Sequence, residues 1–358
     1  MKYLIVCLLL FCVCLNTHSQ TNKIDSLNEL IGKATSDTQR INLKIVKLRV
    51  LGNGNLDSAM AFARNIIEEA KKNNYKKGEA AARISLAGDY CFAGEFAIAK
   101  ENLDAARRVL LNITDSVSLG KMYDCYGMMY SMQNKFDTSH TFYKKAIEIA
   151  TLQNDKSLLL TILQNDAIVF QQQSDYPQAL INYQSALKVA EQINDEEGQA
   201  FIYLNIAITY SSLDDSKRAE QSYLKAIGIA KKLNLKNVLA YSYANLSSLY
   251  SGINDFKKEY DFGIKAAILG KEIGDKGIEA SSLSRAALAL ASQDKFQEAE
   301  KLNEQARNIA DSSKQPLNIY QAYGDMGSIL TMQKNYSKAI PYFEKAFHSL
   351  KESDIYDE

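Results

Sequence analysis

The sequence predicts an all-α fold, a right-handed superhelical solenoid of about eight antiparallel helical hairpins. Three observations lead to this prediction. Small residues recur every forty positions, aromatic residues recur at fixed offsets from them, and Asn, Asp or Gly residues recur between the resulting segments. Such self-similarity is typical of solenoids, in which each unit buries its apolar stripe against its neighbours. The composition agrees, since the 358 residues include only three Pro and no Trp.

Residues 1–19 are predicted to be a cleaved signal peptide. Lys2 precedes an apolar run of twelve residues from Leu4 to Leu15. Thr17 and Ser19 are small residues with the spacing of a signal-peptidase site, which places cleavage before residue 20. Twelve helical residues span about 18 Å, which is less than the roughly 30 Å hydrocarbon core. The run therefore favours a signal peptide over a membrane anchor.

The mature protein is predicted to be exported to the periplasm, without stable membrane insertion. A lipoprotein is disfavoured, because Cys12 and Cys14 each follow a bulky residue. Cys91 and Cys125 remain after cleavage. Helical spacing separates them by about 9 Å along the helix axis and about 10 Å between helices, too far for a disulfide. We therefore expect two small buried hydrophobic side chains.

The segment 20–37 is predicted to hold a short capping helix from Asp25 to Lys33. A degenerate first repeat follows over residues 38–78. Its first helix corresponds to the apolar segment from Ile41 to Leu51. Its second helix begins near Leu56 and carries alanines at the spacing found in the later repeats.

Seven 40-residue repeats are predicted over residues 79–352, followed by a tail at 353–358. One position in the second helix of each repeat is Ala in all seven copies. These residues are Ala106, Ala146, Ala186, Ala226, Ala266, Ala306 and Ala346. Small residues let two helices approach closely, and the aromatic residues beside them fill the space between hairpins. The 21 Tyr residues are thereby interpreted mainly as core.

The boundaries between repeats carry their own signals. Asn or Gly recurs where second helices end, and these residues tolerate the left-handed conformation that closes a helix. They are Asn74, Asn154, Asn194, Asn234 and Gly274. Asp residues at the start of the following helix are predicted N-caps, namely Asp115, Asp155, Asp195 and Asp275.

Together these positions resemble the tetratricopeptide repeat, and the resemblance covers about residues 79–352. The fourth copy carries the motif as Tyr203, Ile206, Ala207, Tyr210, Ala219, Tyr223 and Ala226. Two departures are the missing Pro near the repeat end and a period of forty residues instead of thirty-four. Long repeats behind a signal peptide are similar to the exported sensory arrays of Bacteroidetes-type regulators. In those proteins a membrane helix and a kinase or helix-turn-helix domain follow, and this sequence ends at Glu358 with neither.

Charge and motif content argue against several functions. The 42 basic and 42 acidic residues balance, which disfavours binding to nucleic acid through bulk positive charge. The mature chain has two His residues, His140 and His348, and shows no Cys/His spacing typical of a metal site. No phosphate-binding loop is recognisable. We therefore predict a non-enzymatic protein without a cofactor or metal.

The resemblance implies that the first helix of each pair lines the concave groove. Asn amides at forty-residue spacing there could pair with an extended peptide backbone. Packing between first helices is the alternative interpretation of the same residues. The candidate peptide-binding residues are Asn165, Asn205, Asn245, Gln164, Gln171, Phe201 and Tyr241. A carboxylate clamp is not expected, because the inward cations Lys121 and Arg285 are four repeats apart.

The sequence thus predicts an exported scaffold that binds a protein or peptide partner on its concave face. The alternative is the sensory region of a longer signalling protein, either a histidine kinase or a helix-turn-helix transcriptional regulator. The last predicted helix motivates this alternative, because Tyr342, Phe343 and Phe347 are followed by no polar capping helix. Terminal repeats normally need a polar outer face. A dimer through the C-terminal repeat would also cover these residues.

Overall fold

A computed structural model describes residues 17–52, 56–113 and 115–351, and all regular structure within these ranges is helical. The predicted all-α fold of helical hairpins is therefore confirmed. The side chains of residues 17–22 and 52 are not described. The predicted signal peptide lies outside the described residues except for its last three positions, and the predicted tail at 353–358 lies outside them entirely.

The described residues form seventeen helices in chain order. They are α1 (Thr17–Gly32), α2 (Asp37–Gly52), α3 (Leu56–Lys72), α4 (Lys76–Phe92), α5 (Phe96–Leu111), α6 (Ser116–Met132), α7 (Phe136–Leu152), α8 (Lys156–Gln172), α9 (Tyr176–Gln192), α10 (Glu196–Ser212), α11 (Ser216–Leu233), α12 (Lys236–Gly252), α13 (Phe256–Ile273), α14 (Lys276–Ala291), α15 (Phe296–Ser313), α16 (Pro316–Met332) and α17 (Tyr336–Lys351).

From α4 onward each helix begins twenty residues after the one before it. The even-numbered helices α4 to α16 are the first helices of their hairpins, and the odd-numbered helices α5 to α17 are the second helices. Each first helix packs along most of its length against the second helix that follows it. Within a hairpin the two helices are joined by turns too short for anything but an antiparallel arrangement.

The chain divides into two compact units. Unit 1 extends to Asp195 and contains α1 to α9, and unit 2 extends from Glu196 and contains α10 to α17. Each unit has its own buried apolar clusters. The largest cluster of unit 1 joins α2 through α6, and the largest cluster of unit 2 joins α10 through α14.

The alanines that mark the repeat are buried where helices approach most closely. Ala106, Ala146 and Ala226 have no exposed surface. Two residues that replace Ala at another repeat position are also accommodated. Ser139 is fully buried and its Oγ donates to the carbonyl oxygen of Gly127 at 2.7 Å, and Glu259 is 2% exposed. A buried polar residue at these sites is tolerated when its side chain finds a partner.

Left-handed residues close the helices at the predicted positions. Asn74, Asn154, Asn194 and Asn234 have φ between 51° and 55°, and Gly274 has a φ of 73°. Further residues, which the sequence did not single out, adopt the same conformation in the turns inside hairpins, among them Asn134 and Asp214. A left-handed residue therefore ends first and second helices alike.

Asp side chains cap several helices as predicted. Asp115, Asp155 and Asp275 accept hydrogen bonds from the backbone N–H groups three residues later. Asp175, Asp215 and Asp255 cap second helices in the same way. These bonds satisfy N–H groups that have no partner inside the helix.

The N-terminal helix differs from the sequence prediction. The predicted helix from Asp25 to Lys33 corresponds to α1, which begins eight residues earlier at Thr17 and ends at Gly32. Helices α2 and α3 occupy the segment predicted as the degenerate repeat. Polar residues before Asp25 do not stop a helix in the absence of Pro or Gly, which explains the earlier start.

Within the described ranges, no helix combines the length and apolarity needed to cross a bilayer.

Candidate binding face of the first helices

The first helices of each unit pack side by side and carry one repeating row of side chains. This row, called the shared row below, occupies the same position in each first helix. Its members include Cys125, Asn165, Asn205, Asn245, Arg285 and Asp325. In both units the row lies where one first helix faces its neighbour, for example α6 against α8 and α14 against α16.

Hydrogen bonds join the shared row to the preceding first helix. In unit 1 Asn165 Nδ2 donates to Asp124 Oδ1 at 2.9 Å, and the Cys125 thiol lies 3.8 Å from the carbonyl oxygen of Ile84. In unit 2 Ser284 Oγ donates to Asp325 Oδ2 at 2.7 Å. Each pair is forty-one residues apart. The shared row therefore contributes to packing between first helices, as the alternative interpretation of the Asn residues anticipates.

In unit 1 the candidates Asn165 and Gln164 are half-buried on α8. One N–H of the Asn165 amide is used by Asp124. An amide offers two donors and one acceptor, so this bond engages only part of its capacity.

In unit 2 the candidates Asn205 and Phe201 lie on α10, and Asn245 and Tyr241 lie on α12. All four are half-buried, and the two helices are in contact. Asn245 Nδ2 donates to the carbonyl oxygen of Tyr241 at 2.9 Å, and Tyr241 Oη donates to Asp275 Oδ2 at 3.3 Å. Unit 2 thus brings together two amides and two aromatic rings on adjacent first helices.

Gln171 has a different environment from the other candidates. It is 5% exposed, and its Oε1 accepts a 2.6 Å hydrogen bond from Tyr183 Oη. Its side chain thus lies between α8 and α9, inside the hairpin. Gln171 is six residues after Asn165 and is therefore rotated from it by roughly 240° around the helix axis, toward the partner helix.

Buried carboxylates on the first helices were missed by the sequence analysis. Burial raises the pKa of Asp89 to about 6, and its Oδ2 is buried without a hydrogen-bond partner among the described residues. Burial also raises the pKa of Asp124 to about 6, although the hydrogen bond from Asn165 opposes this shift. Asp325 in unit 2 is likewise shifted upward by burial. The first helices α4 and α6 of unit 1 therefore carry buried carboxylates whose pKa values are raised.

A histidine–carboxylate pair links three helices in unit 1. His140 Nδ1 lies 2.5 Å from Asp166 Oδ1, and Asn182 Nδ2 donates to Asp166 Oδ2 at 2.8 Å. The His140 ring stacks on Phe170 with the ring centroids 4.0 Å apart. Burial of the ring is the largest single effect and lowers the pKa of His140, but the hydrogen bonds to Asp166 and Gln173 and the negative charges of Asp166 and Asp137 together outweigh it, so the net shift is upward. The sequence signal was weak, because these residues are distant in the chain.

The two inward cations belong to different units. Lys121 belongs to unit 1, where burial lowers its pKa, and the neighbouring Arg49 acts in the same direction. Arg285 belongs to unit 2 and lies near Glu259 and Asp325, on whose pKa values it has a lowering influence.

The predicted separation of the two cysteines is wrong. Both are buried and unbridged, as predicted, but they are neighbours, and the hydrogen bond between the Cys91 and Cys125 thiols together with burial raises the pKa of Cys125. The predicted distance added the spacing between helix axes to the axial offset. Side chains that face each other across two packed helices are much closer than the axes. Burial itself agrees with the prediction.

Among the described residues, no group of three or more His, Cys, Asp or Glu side chains is arranged to hold a metal ion. The His140–Asp166 pair has the geometry of a structural contact between helices.

Residues 158–232 and 278–352 match the family model of the tetratricopeptide repeat. No curated protein matches the chain.

Several solved structures share the fold at low sequence identity. The STAND signal-transduction ATPase with a tetratricopeptide repeat sensor from Pyrococcus horikoshii is 17% identical, with a TM-score of 0.73. The match covers 94% of this chain and 52% of that protein, so the chain spans about half of its length.

Two further structures match over nearly their whole length. Aspartyl phosphate phosphatase F from Bacillus subtilis is 16% identical, with a TM-score of 0.60 and 94% coverage of both chains. A Rap protein in complex with competence and sporulation factor is 17% identical, with a TM-score of 0.53, and the match covers 94% of this chain and 98% of that one. At these identities the likeness extends to the fold alone.

Proposed function

Because the chain is a tetratricopeptide repeat protein, we propose that it is a non-enzymatic scaffold that binds a protein or peptide segment on the face of its first helices. The observation that carries this proposal is the cluster in unit 2. Asn205, Asn245, Phe201 and Tyr241 are half-buried on two adjacent first helices, where most neighbouring positions are fully buried. Amides next to aromatic rings suit an extended peptide, because they bind its backbone and its apolar side chains at once.

The structural relatives add support from outside the chain. The Rap protein was crystallised with competence and sporulation factor, and the quorum sensor NprR was crystallised with its cognate peptide NprX. By analogy we infer that peptides are the ligand class to test first. The fold provides the surface, and the residues on it decide the ligand.

The test is selection of binding peptides from a random library displayed on phage, followed by affinity measurement with synthetic peptides. We expect N205A/N245A to weaken binding of the selected peptides by at least about tenfold, the loss of roughly 1.4 kcal/mol. The matched control is N102A on the second helix α5. Asn102 Nδ2 donates to the carbonyl oxygen four residues earlier, as Asn245 does. If no peptide is selected, or if both variants bind equally well, the proposed site is wrong.

We further propose that the protein is exported through a cleaved signal peptide at residues 1–19 and acts in the periplasm. The supporting pattern is a Lys, a twelve-residue apolar run and small residues at positions 17 and 19. Mass spectrometry of the protein from its native cells tests this. A mature N-terminus at Gln20 is expected, and a retained Met1 in the soluble fraction would contradict export.

A second candidate function is the sensory region of a longer signalling protein, and the surface of α17 favours it. Ile340 is 55% exposed and Phe347 is 59% exposed. His140 and Glu220 occupy the same repeat position as Ile340. Each of them contacts the next first helix in the chain, α8 for His140 and α12 for Glu220. The exposed side chains of Ile340 and Phe347 thus lie on the face of α17 against which another first helix would pack.

Two measurements separate the candidates for covering α17. Reading the gene beyond the codon for Glu358 tests the longer protein, which an immediate stop codon would exclude. Light scattering of the purified protein tests a dimer through α17. The substitution F347E should convert such a dimer to a monomer, and a monomer at all concentrations would exclude dimerisation.

A further inference from the structure

A cavity of about 510 Å³ lies in unit 1 between α4 and α5. Glu79 and Arg83 of α4 form one wall, and Ala105 and Val109 of α5 form the opposite wall. The cavity is widely open to solvent, and its volume falls within the roughly 300–1,000 Å³ typical of small-molecule sites. The cavity is separate from the residues proposed for peptide binding and does not depend on that proposal.

The same position is filled in four other hairpins by a tyrosine ring under a lysine ammonium group. The Lys Nζ atoms lie 4.0 to 5.9 Å from the centroids of the Tyr rings, within the range of a cation–π contact. The pairs are Tyr123–Lys145, Tyr203–Lys225, Tyr243–Lys265 and Tyr323–Lys345.

Tyr and Lys are present or absent together along the chain. The hairpins α8–α9 and α14–α15 have Leu in place of the Tyr, and they have Ser185 and Gln305 in place of the Lys. In α4–α5 the two positions hold Arg83 and Ala105, forty residues before Tyr123 and Lys145. The ring and the ammonium group are therefore both missing from this hairpin, where the Arg83 side chain stands at the tyrosine position and the cavity lies beside Arg83 and Ala105.

Arg83 is held in a fixed position at the wall of the cavity by Glu79. Glu79 is 5% exposed, and its Oε1 accepts hydrogen bonds from Arg83 Nε and Nη2, each at 3.1 Å. Arg83 is itself largely buried, with 17% of its side chain exposed. A guanidinium group has five N–H donors, so these two bonds leave others for a ligand. Its planar face also stacks well on aromatic rings.

Positive charge exceeds negative charge among the residues that line the cavity, while the carboxylates of Glu68 and Asp104 lie near Arg83 and Arg108. Lys76 and Arg108 line it together with Arg83, against the single carboxylate of Glu79. Lys76 Nζ is 4.0 Å from Glu79 Oε2, the long limit of an ion pair. Arg108 lies in the last turn of α5 and is exposed. An anionic group at the mouth of the cavity would therefore be attracted by two cations beyond the neutralised Glu79–Arg83 pair.

We propose that this cavity binds a planar aromatic ring that carries an anionic group. The ring lies beside Ala105 and Val109 and stacks on the Arg83 guanidinium, which stands at the tyrosine position of the other hairpins. The anionic group is directed to Lys76 and Arg108. Both parts of the ligand are needed, because the ring supplies apolar contact and the charge supplies orientation.

The experiment is isothermal titration of the full chain with 4-hydroxybenzoate, compared with benzamide and acetate. We expect a dissociation constant on the order of 1 mM for 4-hydroxybenzoate, as is usual for so small a ligand. Binding of benzamide, which lacks the charge, and of acetate, which lacks the ring, should each be at least about tenfold weaker.

The decisive variant is R83Y/A105K, which copies the Tyr–Lys pair of the other hairpins into α4–α5. It should keep the helical circular dichroism spectrum, with a lowered melting temperature because buried Glu79 loses its Arg83 partner, while losing 4-hydroxybenzoate binding by at least about tenfold. A second variant, R108Q, leaves the cavity open and should weaken only the anionic ligand. The proposal is overturned if 4-hydroxybenzoate does not bind, if it binds no better than acetate or benzamide, or if folded R83Y/A105K binds it as tightly as the wild type.

Discussion

The hairpins α4–α5 and α6–α7 have the same helix lengths to within one residue, yet their interiors are filled differently. In α6–α7 the small residue is Gly127, and an ideal Cβ there would lie 2.6 Å from the ring of Tyr143. In α4–α5 the corresponding residues are Ala87 and Leu103, both fully buried. Side-chain volume is thus exchanged between facing positions while the backbone stays the same.

The hairpin therefore tolerates several fillings on the same backbone, and Ala167 and Ala207 face Tyr183 and Tyr223 where α6–α7 has Gly127 and Tyr143. Where α6–α7 holds Tyr123 and Lys145, α4–α5 holds Arg83 and Ala105 and leaves a cavity. A repeat can therefore differ in chemistry without differing in shape. The variants below test how strictly each filling is required, in order of decreasing expected effect.

The largest effect is expected from G127A in α6–α7. The new methyl group would lie 2.6 Å from the ring of Tyr143, which is 2% exposed, so the ring would have to shift within a packed interior. We expect the free energy of unfolding to fall by about 1–3 kcal/mol, the usual cost of overpacking. Urea denaturation followed by circular dichroism measures it.

The matched control is G228A in the middle of α11, where nothing lies within 4 Å of an added Cβ. This substitution should raise stability by roughly 0.5–1 kcal/mol, since Ala favours helix over Gly. Equal effects of the two substitutions would show that Gly127 is not needed for close packing.

The second effect concerns the buried acids of α4 and α6. Burial raises the pKa of Asp124 to about 6 in the folded state, so the folded protein binds a proton more tightly than the unfolded chain does. Stability should then decline as the pH rises from about 4 to about 6 and stay constant above that range. D124N, which cannot ionise, should gain about 1–2 kcal/mol at pH 7.5.

Urea titrations of D124N at pH 4.5 and pH 7.5 test this prediction. D261N, at an exposed position of α13, serves as the control and should change stability by less than about 0.5 kcal/mol. D89N in α4 should behave as D124N does, because burial raises the pKa of Asp89 to about 6 as well. A gain that is the same at both pH values would contradict the proposed origin.

The third effect is the loss of the Tyr–Lys contact in K145A. Lys145 Nζ lies 5.6 Å from the ring centroid of Tyr123 and 5.3 Å from that of Phe142. We expect a loss of about 0.5–1 kcal/mol, as is usual for an exposed cation–π contact. K144A removes the neighbouring exposed Lys and is the control. If both variants melt at the same temperature, the contact does not stabilise the hairpin.

The smallest effect concerns His140 of α7, whose contact with a carboxylate depends on pH, unlike that of its counterpart Lys100 in α5. Lys100 pairs with Asp104 at 2.8 Å and stays charged at neutral pH, whereas His140 titrates. The Asp166 hydrogen bond raises the pKa of His140 against the opposing effect of burial. Its contribution to stability is therefore fully present below the unfolded pKa of about 6.5 and is lost as the pH rises through the folded pKa.

The groups that face His140 are Asp166, Gln173 and Asp137. H140Q should accordingly lower the melting temperature more at pH 5.5 than at pH 8, by an amount equivalent to at most about 1 kcal/mol. Differential scanning calorimetry at the two pH values is sufficient. A larger destabilisation at pH 8 would reverse the assigned sign.

The repeat pattern was predictable because it depends on residue size at fixed intervals. Ala106 and its counterparts marked the second helices, and Asn74 and Asp115 marked their boundaries, since helix ends have local signals. The pairs that shape the candidate site are of another kind. Asn165 and Asp124 are forty-one residues apart, and nothing local in either segment indicates that they meet.

The same reasoning explains the misplaced cysteines and the unexpected cavity. Whether Cys91 meets Cys125 depends on how neighbouring helices cross, which a periodic sequence does not specify. Arg83 and Ala105 were visible as departures from the pattern, but their consequence needed the facing helix. Departures from the repeat, rather than the repeat itself, were therefore the more informative signal for a site.

The left-handed turns have a consequence for how the array opens. Eleven non-Gly residues in the described part of the chain have φ between 51° and 62°. Each such residue is strained by about 1 kcal/mol relative to Gly, less for Asn. In a chain of nearest-neighbour units, a small local penalty decides which unit separates first. Replacing Asn134 or Lys334 by Gly, one turn at a time, would therefore set the order in which individual hairpins exchange their amide hydrogens.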